Sequence, residues 1–213
     1  MTDGQSDPRR RARKTALLDA ARRRFAQDGF AGTSVASIVR EAGVAQGTFY
    51  LYFENKAHLL VHLRAEILRD FSAALDRAIA RDAPADARLV QALENLYAAV
   101  RRHRKMLRVI RQATSGDEID RVWVEGRRVL AGPLGRLLAE GRAEGRFDLD
   151  APPSFSAHLL LSLFDDLLFD ALEYRVPAGG RATLRGATRF VLRGLGVARP
   201  RIDDLCPSTA RAA

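Results

Sequence analysis

Residues 44–56 read VAQGTFYLYFENK, and the fold depends on what the aromatic stretch in their middle forms. Thr48, Phe49, Tyr50, Tyr52 and Phe53 are side chains that suit a pleated, half-buried strand. A strand needs a partner, and no other segment nearby alternates apolar with polar residues. A helix needs none. On a helix, Val44, Phe49 and Phe53 fall on one side, whereas Gln46, Thr48, Tyr50 and Tyr52 project elsewhere. The stretch is therefore expected to be a short helix with a buried aromatic side and an exposed hydrogen-bonding side.

The flanks support that reading. From Arg11, residues Ala16, Leu17, Ala20, Ala21 and Phe25 recur at helical spacing, and Gly29 stops the run. Thr33-Ser34 offers an N-cap to a second helix with Val35, Ile38, Val39 and Ala42 on one face, ended by Gly43. Three short helices, the last two joined by a glycine turn, describe a helix-turn-helix within a three-helix head. In such a unit the third helix presents its N-terminal residues to the DNA major groove.

FAQDGFAGTSVASIVREAGVAQGTFYLYFENKAHLL, residues 25–60, resembles the DNA-binding head of the tetracycline-repressor (TetR) family. The residues that carry the likeness are Gly29-Phe30, Thr33-Ser34, Ile38-Val39, Ala42-Gly43-Val44, the run Gly47 to Phe53, and Lys56 opening a fourth helix. The resemblance implies an all-α protein with an N-terminal head and a larger helical domain for ligand binding and dimerisation. It implies DNA contacts from Thr33, Ser34, Ser37, Gln46, Gly47, Thr48, Tyr50, Tyr52 and Lys56. Ser34 is expected to cap the second helix and donate to phosphate. Gln46 is expected to read an adenine edge in two-pronged fashion. Thr48 suits a phosphate or a thymine methyl, the two tyrosines and Lys56 suit the phosphate backbone, and the arm Arg9–Lys14 suits an adjacent minor groove. Ala45, Ala36 and Leu51 depart from the polar residues often found there, so specificity rests on Gln46, Thr48 and Ser37.

Beyond the head, the pattern predicts a helix from Lys56 to about Arg81, one from Asp86 to Arg101, and a shorter one over Met106–Ile110. A segment from Ile119 to Glu144 is expected to kink or split at Gly132-Pro133. Apolar helices follow over 155–174 and 181–195, then a frayed tail after Pro200. The boundaries expected are a disordered tail over 1–8, the head over 9–55, the larger domain over 56–200 and a flexible tail over 201–213. Phe155, Leu159, Leu160, Leu163, Leu167 and Leu168 cover a stripe too wide for one intramolecular contact, and the last helix adds Leu184, Ala187, Val191 and Leu195; Phe155, Leu159 and Leu163 with those four are the expected dimer interface. The resemblance implies that they pair across a two-fold axis in a homodimer. Phe71, Tyr97, Met106, Ile110, Trp123 and Phe164 are the large side chains available to line a ligand pocket, though each also suits plain core.

Charge and composition agree with this reading. The net charge is +9, and residues 1–24 carry eight basic side chains against three acidic ones, a distribution that attracts phosphate. A single cysteine, Cys206, excludes an intrachain disulfide and cysteine-based metal motifs. No secretory signal and no apolar run of membrane-spanning length is present, so a cytoplasmic location is expected. His58 and His62 have an i, i+4 metal spacing but no third ligand nearby, and no catalytic order of residues occurs. The expectation is a ligand-responsive transcriptional regulator without metal, cofactor or enzymatic activity. Its partners are a quasi-palindromic double-stranded operator, an unknown small molecule and a second copy of itself. A DNA-binding protein without effector, and a ligand-binding helical dimer without regulatory DNA binding, remain as alternatives.

Overall fold

The computed structural model describes residues 8–113, 117–173 and 180–207, with the side chains of 117–125, 127, 165–173 and 181 outside that description. Among the described residues there are helices and no strands. They are α1 (Pro8–Gly32), α2 (Val35–Ala42), α3 (Gln46–Tyr50), α4 (Lys56–Ile79), α5 (Ala85–Ala113), α6 (Asp117–Ala143), α7 (Pro153–Glu173), α8 (Arg181–Gly194) and α9 (Arg199–Leu205). The chain divides into two compact units, one of Met1–Arg69 with His103–Ile119, the other of Asp70–Arg102 with Asp120–Ala213.

The first unit is built on aromatic packing. Leu17, Ala20, Ala21 and Phe25 of α1, Ile38 of α2, Phe49 of α3 and Leu59 and Leu63 of α4 lose all contact with solvent. The rings of Phe49 and Phe53 lie 5.5 Å apart, and those of Phe25 and Phe30 likewise. Burial of each such side chain stabilises the unit by about 1.5–3 kcal/mol, which is why the stretch that looks like a strand settles as a helical turn. Glycine governs the turn between α2 and α3: Gly43 sits at φ 65° and donates its N–H to the carbonyl of Arg40. That left-handed position is costly for residues with a Cβ.

Helix α5, whose residues 85–102 belong to the second unit and 103–113 to the first, is one helix of 29 residues where two were expected. No glycine or proline interrupts residues 85–113, so the basic run 101–105 merely turns outward while the helix continues. Helix α6 likewise runs through Pro133 without being split. Its C-terminal end packs tightly, the Phe147 ring lying so close to Gly141 that a Cβ there would overlap it. Glu144 then returns to accept from the Ala85 N–H at 3.0 Å, satisfying an orphan amide at the start of α5.

The expected frayed tail is instead α9, over Arg199–Leu205. Ile202 is buried in it, and Arg201 reaches Asp86 of α5 through two bonds of 2.7 and 3.0 Å. Asp86 is almost wholly buried. Its carboxyl is held below the usual range, chiefly by the hydrogen bond from Arg201 against the opposing effect of burial. A carboxyl depressed in the folded state contributes stability above its unfolded pKa, and that contribution is lost as pH falls through the folded value. Arg201→Ala is expected to cost about 1–3 kcal/mol at pH 7, discounted from a fully buried pair because Arg201 is partly exposed. Urea unfolding should show the difference from wild type shrinking as the pH is taken below about 4.

Candidate nucleic-acid interface

The α2–turn–α3 element presents two different sides. Phe49 and Phe53 are 0% and 1% exposed, whereas Gln46, Gly47 and Tyr50 are exposed and Thr48 and Tyr52 half-buried. Ala45 precedes α3 without a side-chain cap, as the sequence predicts. At α2, Ser34 accepts from the Ser37 N–H at 3.1 Å, and Ser37 Oγ accepts from the Ser34 N–H at 3.2 Å. This capping box leaves the exposed Ser34 hydroxyl its own proton. The Ser37 hydroxyl proton, by contrast, goes to the Ser34 carbonyl at 2.7 Å.

Two of the expected contacts are corrected. Thr33 is 2% exposed, and its hydroxyl donates to the Gly29 carbonyl at 2.7 Å, so it lies beneath the surface. Lys56 is turned inward as well. Its Nζ donates to the carbonyls of Phe30 at 2.8 Å, Thr33 at 2.9 Å and Ala31 at 3.4 Å, and lies 4.6 Å from the Phe30 ring centroid. Carbonyls left over where α1 ends, at Gly29 with φ 71°, concentrate negative potential that a cation relieves. The sequence also gave no role to Asn55, whose side chain caps α4 by accepting from the His58 N–H at 2.8 Å.

The basic end of α1 joins this surface. The Arg10 guanidinium lies 5.9 Å from the Tyr52 ring centroid, and Lys14 Nζ lies 5.9 Å from that of Phe53. Farther along α1 the arginines are engaged within the protein: Arg22 with Asp19 and Glu66, Arg23 with Glu41, Arg24 with Asp28. Excess positive charge is thus concentrated at the α1 N-terminus. The rings of His58 and His62 are 5.0 Å apart. Burial first, then the charges of Lys14 and His58, hold His62 below its usual range. Among the described residues no third metal-binding side chain joins them.

Phe30 through Tyr52 thus form a helix-turn-helix whose outward side bears an amide, hydroxyls and phenols beside a basic helix end. The family model of the bacterial regulatory proteins of the tetR family matches residues 17–63. That match covers the DNA-binding head, which is of the tetR type. Its TetR-type head is joined to a helical remainder that is also shared with relatives. The uncharacterized HTH-type transcriptional regulator YhgD of Bacillus subtilis is 24% identical over 86% of this chain and 96% of its own length. The HTH-type transcriptional repressor AcnR of Corynebacterium diphtheriae is 24% identical over 79% of this chain and 83% of its own. The fold is that of SmeT in its triclosan complex, with a TM-score of 0.72 at 21% identity, covering 88% of this chain and 93% of that one. SmeT is the repressor of a multidrug efflux pump of Stenotrophomonas maltophilia. Over most of its length the chain is similar to HTH-type transcriptional regulators and repressors.

The residues expected at a dimer interface divide. Phe155 and Leu159 of α7 are exposed, and Leu163, Leu184 and Ala187 are half-buried. Val191 and Leu195 are buried within the single chain and are corrected to core. Phe190, which the sequence reading passed over, is 65% exposed on α8. One residue along a helix is a rotation of about 100°, enough to exchange the inner face for the outer.

The ligand-lining candidates divide as well. Met106 and Ile110 are buried core of the first unit, Phe164 is buried in α7, Phe71 is half-buried, and the Trp123 side chain lies outside the described residues. Tyr97 lines a cavity of about 530 Å³ between α5, α8 and α9, a site to which Leu184 also turns.

Lys56→Ala and Thr33→Val are expected to lower unfolding stability by about 1–3 kcal/mol each, because both strand buried carbonyls. Tyr50→Phe, at an exposed position, should leave stability within about 0.5 kcal/mol of wild type. Urea melts of the three variants without DNA make this comparison.

Proposed function

We propose that the protein is a homodimeric repressor that a small molecule releases from a quasi-palindromic DNA operator, and that it works in the cytoplasm without metal, cofactor or catalysis. The observation that carries this reading is the two-sidedness of residues 46–53: Phe49 and Phe53 are buried, whereas Gln46, Gly47 and Tyr50 stand exposed. Gln46 pairs with a base edge, Thr48 meets phosphate or a thymine methyl, and Ser34, Tyr50 and Tyr52 hold phosphates. Gly47 allows close approach of the backbone. Arg10, against Tyr52, carries the basic arm into the same contact. Thr33 and Lys56 serve by fixing the angle at which α2 leaves α1.

The two-fold repeat of an operator needs two recognition helices about 34 Å apart. A second copy docking on Phe155, Leu159 and Phe190 supplies the second helix. Loosely spaced glycines on α8, Gly186 and Gly194, have open space where a Cβ would stand, which favours close helix approach. An effector that prefers the non-binding conformation about a hundredfold, about 2.7 kcal/mol, accounts for release. The cavity between α5, α8 and α9 favours an effector-responsive protein over a DNA binder without one.

Titration onto the DNA flanking its own gene tests the reading. Binding to one site should exceed binding to unrelated DNA by about a thousandfold or more. Tyr50→Phe should weaken all sequences alike, and Gln46→Ala should cost about 1–3 kcal/mol of discrimination at one base pair. Equal, steeply salt-dependent binding to both DNAs contradicts it. In sedimentation, Phe190→Glu should yield a folded monomer with weakened operator binding, whereas Val191→Glu should unfold the chain.

A further inference from the structure

The second unit contains one arginine whose placement the fold itself does not explain. Half-buried arginines there are matched by acids: Arg88 by Glu140 and Glu144, Arg189 by Asp203, Arg201 by Asp86. Arg185 of α8 is also half-buried, yet no ion pair or hydrogen bond engages it among the described residues. It lines the cavity of about 530 Å³, a volume typical of small-molecule sites, roughly 300–1,000 Å³.

The rest of the lining defines a chemistry. Arg101 brings a second guanidinium, 5.9 Å from the Tyr97 ring centroid. Glu94 is the only carboxylate among the lining residues, so cations outnumber anions two to one. Val90 and Ala98 of α5, Leu184 of α8, and Leu205 and Pro207 at the end of α9 supply apolar surface. The Thr188 hydroxyl is already given to the Leu184 carbonyl at 2.8 Å. The far wall is the C-terminal helix, held in place by Arg201 on Asp86 and by Arg189, which donates to the Cys206 carbonyl at 2.8 Å.

We propose that this cavity is the effector site and that it takes a small organic monoacid, its carboxylate held by Arg185 and Arg101 and its aromatic or short alkyl body lying against Tyr97, Leu184 and Leu205. The proposal rests on the regulator reading above. A guanidinium already partly removed from water gains most from a carboxylate, which it binds through two parallel hydrogen bonds. Glu94 repels a second carboxylate and accepts a hydroxyl or amide proton, which selects monoacids and hydroxy acids over diacids. The site also has a path of action in the sequence of α5: residues 90–101 line the cavity, and the same unbroken helix supplies residues 103–113 to the unit that holds α2 and α3.

Cys206 gives a direct readout, since it is the sole cysteine, is buried, and forms part of the wall. The full-length protein is treated with iodoacetamide and followed by intact mass, alone and with 4-hydroxybenzoate, phenylacetate or octanoate, each compared with its amide. At least one acid should slow alkylation fivefold or more and bind at least tenfold tighter than its amide. Arg185→Gln should abolish that preference while leaving the thermal midpoint and operator affinity unchanged. Ala98→Trp, at an exposed position on the cavity's rim, should fill the space and remove binding of acid and amide alike. Equal protection by acids and amides, no protection by any acid, or a preference that survives Arg185→Gln overturns the proposal. An acid that protects Cys206 but leaves operator affinity unchanged overturns the effector role. Alkylation is read without DNA, so a failure of operator binding itself counts against the regulator reading separately.

Discussion

One ammonium group organises the DNA-binding unit. Lys56 Nζ gathers the carbonyls of Phe30, Ala31 and Thr33 at the place where α1 ends and α2 begins, and Lys56 itself is the first residue of α4. Three helices therefore meet at one charge. Without it, the carbonyls of Ala31 and Thr33 lose this donor and that of Phe30 keeps only the Thr33 N–H at 3.4 Å, and a buried polar group without a partner costs about 1–3 kcal/mol. The angle between α1 and α2 is held by this contact together with the Thr33 hydroxyl on Gly29. That angle in turn presents α3, whose own five residues are too few to hold a helix by local propensity.

The charge of the head is distributed by the same economy. Arg22, Arg23 and Arg24 look from the sequence like part of a DNA-binding surface, but acids on α1, α2 and α4 engage them. The net charge of +9 therefore overstates what the middle of α1 can offer to phosphate. The end of α1, where Arg10 meets Tyr52, is where basic and aromatic groups converge. Partition of this kind favours a focused contact over diffuse attraction along the whole helix.

The second unit shows how a basic, arginine-rich chain stabilises helix ends. The N-terminus of α5 is closed by Glu144 from α6, by Asp86 on itself, and by Arg201 from α9. The contacts of Glu144 and Arg201 join residues far apart in the chain, so α9 belongs to the core. Against that pattern of matched arginines, Arg185 beside the cavity is the exception, and its exposure to a space of ligand size gives the unit its chemical individuality.

How much of this was legible in the sequence follows from the range of each interaction. The helix-turn-helix was readable because its determinants are local: the Ser34 cap, the left-handed Gly43, the helical spacing of Val35, Ile38, Val39 and Ala42, and the four-residue step from Phe49 to Phe53. The same locality made the all-α class and the exposed Gln46 and Tyr50 readable. The direction of Lys56 was not, since a lysine near DNA-binding residues has the same local pattern whether it faces a phosphate or a carbonyl 23 residues away in sequence; the Thr33 hydroxyl meets Gly29 only four residues back, but the same residue suits a phosphate equally. Phe190 and Val191 differ by a single helical step, and which one turns inward was decided by the packing of α8. The frayed look of residues 199–205 reflected Pro200 and scattered charges, and it is the distant Asp86 with the burial of Ile202 that holds them as a helix. The sequence by itself determined where helices start, stop and turn, because those choices are made within a few residues. The tertiary structure alone decided which polar side chains stay available for a ligand or for DNA, because their partners come from elsewhere in the chain.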